Sequence, residues 1–363
     1  AIKLKSKLKD LNIIRNFYEN GDFINFKLNE SEIDINILIC PDEYFNSALL
    51  YFTGPKNLNN FLYEKSKDLG IQILPTNYLK LNYNEKQIFN LFDLPYIPPE
   101  FREHWEKYIT MDKIFLSYNI KGDLHIHTNY SDGISSIYEI VRESKDLGYK
   151  YIGISDHAED LKFAKGLSEK RIYKERLEIR KIEKLFNDIK IFFGIEANIR
   201  NDGSIDVNES ILKDLDFVIA SIHNNFNEDL YSNMKRLTNA IRNPFVTIIG
   251  HPSGRKISER DEMKIDWKNF YKEVENSKTI LEINSSPDRL DLYSNIIYEN
   301  SNFDVLYSIS SDCHFAPQLN FANQYGIDIA KRALLEDKKI INSYEINDLV
   351  KILNKKRESR NFV

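Results

Sequence analysis

From about residue 118 onward, short apolar runs alternate with segments of helical length. The runs lie at 122–127, 151–157, 189–198, 217–223, 246–251, 279–284 and 305–314, and 136–147 and 168–186 between them read as amphipathic helices. Such strand–helix alternation predicts parallel strands with helices outside. No glycine-rich dinucleotide fingerprint follows the first run, so seven runs favour an α/β barrel over a doubly wound open sheet. Before residue 118 the pattern is different. An apolar run at 35–39 and a helical stretch after Asn57 end at the proline cluster Leu94-Pro95-Tyr96-Ile97-Pro98-Pro99, which stops regular structure. The expected organisation is a small domain over 1–98, a connector over 99–117 with Trp105 and Tyr108 tucked onto a surface, and a large domain over 118–363. The Lys- and Arg-rich tail, 354–363, reads as a frayed helix end.

Composition narrows the picture. With 42% apolar and 29% charged residues, the chain of 363 can pack a sizeable core. A net charge of −5 excludes a globally basic, DNA-coating protein, but not a nuclease whose metal ions supply positive charge locally. Two cysteines, Cys40 and Cys313, make no disulfide framework and fit a reducing compartment. No run has the length of a membrane span or of a signal-peptide core, so the expectation is a cytoplasmic protein without membrane contact.

The histidines carry the chemistry. Six of the seven stand at the ends of the apolar runs: His125 and His127, His157, His223, His251 and His314. Glu196 and Asp312 stand at run ends too, and Asp132 follows the first run closely. In a parallel barrel the strand ends gather at one mouth, so these residues are expected to converge. A lone histidine at a strand end is usually structural. So many polar groups around one centre would be costly without a counter-ion. His125-Ile126-His127 puts two imidazoles on one side of a strand, and Asp312-Cys313-His314 repeats the arrangement with Cys313 facing away. Nitrogen and oxygen donors without sulfur suit Mn, Zn or Fe. Nine ligands are too many for one ion, so two or three divalent ions are expected. Closely spaced ions can hold a bridging hydroxide and clamp a phosphate oxygen.

The motifs in order are Gly122-Asp123-Leu124-His125-Ile126-His127-Thr128, Tyr130-Ser131-Asp132-Gly133, Ser155-Asp156-His157, Gly194-Ile195-Glu196, Ala220-Ser221-Ile222-His223, Gly250-His251-Pro252-Ser253-Gly254-Arg255 and Ile309-Ser310-Ser311-Asp312-Cys313-His314. This series resembles the PHP (polymerase and histidinol phosphatase) domain. Leu281-Glu282-Ile283-Asn284 with Ser286-Pro287-Asp288-Arg289-Leu290-Asp291 is similar to the version fused to bacterial and archaeal family X DNA polymerases. The resemblance implies a distorted TIM-like (β/α)7 barrel preceded by a small α+β domain like the C-terminal part of such a polymerase. It implies one ion on His125, His127, Glu196 and Asp312, a second on Glu196, His223 and His251, and a third on Asp132, His157 and His314. Glu196, Asp312 and His314 are the residues it points to for catalysis. In the first block, Ala48-Leu49-Leu50-Tyr51-Phe52-Thr53-Gly54 and Asn59 resemble the polymerase nucleotide pocket, and Asp34 stands where the third palm aspartate belongs. The upstream Asp-x-Asp pair is not in this sequence, so polymerase activity is not expected of it, whether the front half was lost or the chain is a fragment.

The leading expectation is a 3′→5′ exonuclease or 3′-end processing phosphodiesterase of DNA repair, with Mn for activity and DNA 3′ ends or nucleotides as substrate. Arg255 and Arg289 are candidates for gripping phosphate, against an ion pair of Arg289 with Asp288 or Asp291. The Tyr51, Phe52, Gly54 and Asn59 set binds a nucleotide or, more simply, stabilises the first block. The alternatives are a small-molecule phosphomonoesterase such as a histidinol phosphatase, and a non-catalytic assembly module. A separate polymerase or repair subunit is a further expected partner.

Overall fold

The computed structural model describes residues 2–30, 33–70, 83–111, 117–158 and 161–358, and divides into two units, Ala1–Thr110 and Met111–Val363. The division falls inside the expected connector. Residues 99–110 are helical, and Phe101, Arg102, Trp105 and Tyr108 are buried. The reason is Arg102. Its fully buried guanidinium donates to Ile97 O at 3.0 Å, pairs with Glu85 at 3.0 Å and hydrogen-bonds Thr53 Oγ1, so the segment is fastened to the unit before it. Residues 112–116 of the connector and 359–363 of the tail lie outside the described residues; the tail up to Glu358 continues the helix Ile346–Glu358.

The first unit holds an antiparallel meander, β1 (Ile14–Asn20), β2 (Phe23–Leu28) and β3 (Asp34–Leu38), followed by helices Asp42–Thr53, Lys56–Asp68 and Glu85–Leu91. Gly21, at φ 58°, supplies the left-handed residue of the tight β1–β2 turn.

The second unit holds parallel strands throughout: β4 (Gly122–Asp123), β5 (Tyr151–Ile154), β6 (Lys190–Phe193), β7 (Glu196–Asn198), β8 (Ile219–Ser221), β9 (Ile248–Ile249), β10 (Ile280–Asn284) and β11 (Tyr307–Ser310). One sheet has the order β4-β5-β6 and the other β11-β10-β9-β8-β7. Isolated parallel bridges join Ile126 to Cys313 and His157 to Glu196, linking the two sheets. The single run expected over 189–198 is therefore two strands in two sheets. The change falls at Gly194, where a Cβ would meet the Phe217 ring at 2.3 Å.

Two-residue alternation sorts the strand residues into two layers. Ile152, Ile191, Ala220, Ile249 and Leu281 belong to a core shared with the surrounding helices. Their neighbours Tyr151, Phe192, Ile219, Ile248 and Ile280 form a second cluster with Phe217, Leu349 and Leu353. Along that second face the chemistry changes from strand start to strand end. Ile280 is followed by Glu282 and Asn284, Ile219 by Ser221, and Tyr151 by Gly153 and Ser155, all buried.

The helices close on these faces with ordinary local signals. Ser136 and Glu139 form a reciprocal capping box at the start of Ile137–Asp146, which buries Ile137, Ile140, Val141 and Ser144 along one stripe. No helix among the described residues is long and apolar enough to cross a membrane.

Candidate metal centre

All nine residues singled out in the sequence meet at the C-terminal ends of the second unit's strands. Glu196, on β7, is 1% exposed and lies between two sets of imidazoles. Its Oε1 is 3.2 Å from His223 Nε2 and 3.1 Å from His251 Nε2. Its Oε2 is 2.9 Å from His157 Nδ1, 3.4 Å from His125 Nε2 and 3.5 Å from His127 Nε2. Each oxygen thus faces a different set, an arrangement that would let the carboxylate be shared between two ions. Asp312 Oδ1 stands 3.2 Å from His127 Nε2 and 3.5 Å from His125 Nε2. Asp132 lies 3.4 Å from His314 Nε2 and 3.5 Å from His157 Nε2.

Three overlapping groups have ligand atoms close enough to share an ion: His127, Asp132, His157 and His314; His125, His127 and Asp312; and His157, Glu196 and His223. Compared with the implied sets, His127 and His157 each reach two groups through their two ring nitrogens.

The unsatisfied atoms of this donor set suit a cation. His127 Nδ1 and Nε2, His223 Nδ1 and Nε2, His125 Nε2 and His157 Nδ1 are buried without a hydrogen-bond partner, although carboxylate oxygens lie nearby. Buried nitrogens are almost always paired. Here most of them share one region and point at common space rather than into hydrogen-bond geometry. Two candidate ligands, His251 (φ 27°) and Asp312 (φ 53°), sit in the left-handed backbone region, a strain of about 1–3 kcal/mol each that tends to collect at functional sites.

Charge is divided accordingly. Burial opposes ionisation of Glu196, but the His223, His125 and His157 rings outweigh it and hold the carboxyl well below its usual range. Burial likewise opposes ionisation of Asp312, which the His125 and His127 rings and Arg289 keep ionised. Burial pushes the His127 ring down to about 4, helped by its His157 and His314 neighbours. It takes His223 to about 4 despite Glu196. The outcome is deprotonated carboxylates and, at these two positions, neutral imidazoles, whereas against the effect of burial Glu196 and Asp132 hold His157 up to about 10 and Glu282 and Asp312 hold His125 well above its usual range, positive charge that a bound cation would replace.

A further layer of side chains holds the candidate ligands, and no role was assigned to it from the sequence. Glu282 Oε1 is 2.5 Å from His125 Nδ1, and Glu282 Oε2 accepts from His251 N at 2.6 Å and from Asn284 Nδ2 at 3.2 Å. Asn284 Nδ2 also donates to Asp312 Oδ2 at 3.0 Å. Asp123 accepts from His125 N at 3.0 Å and Ser311 N at 2.8 Å. Asp156 accepts from Thr128 N at 2.8 Å and from Ser131 Oγ, shaping the loop that carries Asp132. The signal was in the alternation: Glu282 and Asn284 interrupt an otherwise apolar strand on the face shared with the ligands.

The two arginines part company. Arg289 Nε lies 3.2 Å from Asp312 Oδ2, so its ion pair is with a candidate ligand rather than with Asp288 or Asp291. Its Nη1 is buried without a hydrogen bond. Arg255 donates to Arg289 O at 2.8 Å and Leu290 O at 2.5 Å, and stacks over the Tyr293 ring at 4.4 Å. These contacts commit Arg255 to holding the turn that carries Arg289. Cys313 is fully buried in the outer core, facing away from the ligands as expected.

The first unit gathers no comparable site. Among the described residues, no group able to hold an ion includes any of its residues. Asp34 is exposed on β3, 3.8 Å from Lys27. Asn59 Nδ2 donates to Tyr51 O at 2.8 Å, and a Cβ on Gly54 would meet Asn59 Oδ1 at 2.9 Å. Asn59 and Gly54 therefore join two helices closely, while Phe52 is 54% exposed.

The chain is 32% identical over 97% of its length to the DNA polymerase/3′-5′ exonuclease PolX of Bacillus subtilis (strain 168), and spans 64% of that protein. It is 28% identical to a probable phosphatase of Thermoanaerobacter sp. (strain X514), over 65% of this chain and 95% of the relative. Among solved structures, a zinc-, L-histidinol- and phosphate-bound histidinol phosphate phosphatase of Lactococcus lactis matches 58% of this chain and 93% of its own. Its identity is 17% and its TM-score 0.42. Residues 123–286 match the model of the PHP domain, and the chain carries a domain of this family of metal-dependent phosphoesterases.

Proposed function

We propose that this chain is a metal-dependent phosphodiesterase that trims DNA from its 3′ end in repair. The observation that carries the phosphoesterase part is the set of buried, unpaired imidazole nitrogens around Glu196. The DNA part is supported by the similarity to PolX, which runs over 97% of the chain and so includes the first unit. In this reading the two bridged sheets are a distorted barrel of PHP type, and the first unit is a family X polymerase-like portion. Ligand sets are those implied by the motifs, with His127 and His157 reaching across, and Mn is the activating ion.

Bound divalent ions supply Lewis acidity toward phosphate and lower the pKa of water. The protein's own groups do the rest. Glu196 and Asp312 stay ionised and hold ligand geometry. Arg289, anchored on Asp312 and with a buried N–H group unspent, is positioned to take a non-bridging phosphate oxygen. Arg255 orients Arg289 through its two carbonyl contacts. Polymerase chemistry is not assigned to these residues, because Asp34 has no companion carboxylates forming an ion site among the described residues.

The test is incubation of the purified, Mn-loaded chain with 3′-recessed and single-stranded DNA labelled at the 5′ end. Stepwise shortening from the 3′ end is expected. Inert DNA with verified metal content would overturn the reading. If small phosphomonoesters such as histidinol phosphate were then turned over, the phosphatase reading favoured by the Thermoanaerobacter relative would replace it.

A further inference from the structure

Beside the ligand cluster lies a cleft of different chemistry. It has a volume of about 520 Å³ and is lined by Asn198, Arg200, Asn201, Asp202, Asn224 and Asn225. Its walls continue the ligand strands. Asn198 is two residues beyond Glu196 on β7, on the same face, and Asn224 follows His223.

The cleft is a built feature. Arg236, 1% exposed on helix Leu230–Arg242, donates to Ile199 O, Arg200 O, Asn224 O and Asn224 Oδ1, so one buried guanidinium ties both walls together. Across the opening, Asn225 Nδ2 donates to Asn201 Oδ1 at 2.8 Å, with Asn225 held at φ 54°. At the base, Asn198 is 3% exposed and its Oδ1 has no hydrogen-bond partner. A buried amide oxygen left open in a fixed cleft awaits a donor from elsewhere.

Four amides, one acid and one guanidinium do not make a phosphate site. Asp202 is already occupied with Ser204 N and Oγ. Amide side chains offer a donor and an acceptor together, which is how proteins read the hydrogen-bonding edge of an unpaired base. We propose that this cleft receives the nucleobase of the 3′-terminal nucleotide while its phosphate lies at the metal centre, with Asn198 Oδ1 accepting from a base N–H. The inference rests on the DNA-end reading above.

Two diesters with the same leaving group test it. Thymidine 5′-(p-nitrophenyl phosphate) carries a base, and bis(p-nitrophenyl) phosphate does not. In each, water adds to phosphorus and the P–O bond to p-nitrophenolate breaks. The wild-type chain should prefer the thymidine ester in kcat/KM. Asn198→Ala should cut that preference roughly tenfold, the worth of one buried hydrogen bond. Asn201→Ala, away from the ligand strand, should cut it in the same direction. A preference unchanged in both variants, whether or not both rates fall together, overturns the base cleft and leaves the nuclease reading standing. A wild-type chain that hydrolyses neither diester but turns over phosphomonoesters overturns both.

Discussion

The two ends of the same parallel strands bury polar groups in opposite ways. At the strand starts the buried polar side chains among the described residues are satisfied. Lys356 Nζ, on the C-terminal helix, donates to Ile241 O at 2.5 Å, Val246 O at 2.7 Å and Thr279 Oγ1 at 2.8 Å. Asn342 there donates to Gly122 O at 2.8 Å and accepts from Ile309 N at 2.7 Å. At the strand ends the burial is as deep, but most of the imidazole nitrogens are left without hydrogen bonds. The closed end shows what this fold does with a polar group needed only for structure. The open end departs from that habit around Glu196 and beside it at Arg289 and Asn198, and the departure supports the proposal that something else binds there.

The strongest way to break the contrast is Glu196→Ala. If the unpaired nitrogens belong to a metal centre, removing the carboxylate that serves both sets should lower bound metal and cut diester hydrolysis on the order of 10³-fold. Far-UV circular dichroism should remain native, since the strand starts keep their pairing. Hydrolysis within tenfold of wild type would show that the open nitrogens serve no metal-based chemistry.

A smaller effect is expected one layer out. Glu282 holds His125 Nδ1 and the His251 backbone together. Glu282→Ala should weaken metal binding or activity by roughly 10- to 100-fold, read by metal titration, as outer-shell partners generally do. Glu282→Gln, which keeps the shape and one acceptor, should recover part of the loss. Equal losses in both would mean that the carboxylate charge rather than the hydrogen-bond geometry matters.

What was legible in the sequence follows the same division. The convergence of the nine candidate ligands could be read because strand ends and histidines coincide, and because polar residues closing apolar runs have no structural excuse. Glu282 and Asn284 carried a weaker signal, since one polar residue inside a strand can be satisfied in many ways. The split of the 189–198 run could not be read. It depends on Phe217, distant in sequence, crowding Gly194. The placement of residues 99–110 in the first unit turned on Arg102, an exposed-looking residue whose burial depends on Glu85 and Thr53. Arg255 and Arg289 looked equivalent as candidates, and only their partners separate them.

The last prediction sharpens the closed end. Burial pushes the Lys356 ammonium down to about 7, from an ordinary value of 10.5. Between these values the unfolded chain holds a proton that the folded chain has released. Stability should therefore rise with pH across that window, by up to about 1.4 kcal/mol per pH unit, and lose this dependence below pH 7, where both states are protonated. Lys356→Met removes the titrating group but keeps much of the volume. The difference in unfolding free energy between wild type and variant, followed by denaturant titration from pH 7 to 10, should change with that slope in favour of the wild type. A pH-independent difference would mean that the three acceptors hold the ammonium charged throughout. The closed end would then bury a charge by pairing it fully, the task that the strand ends leave to a metal ion.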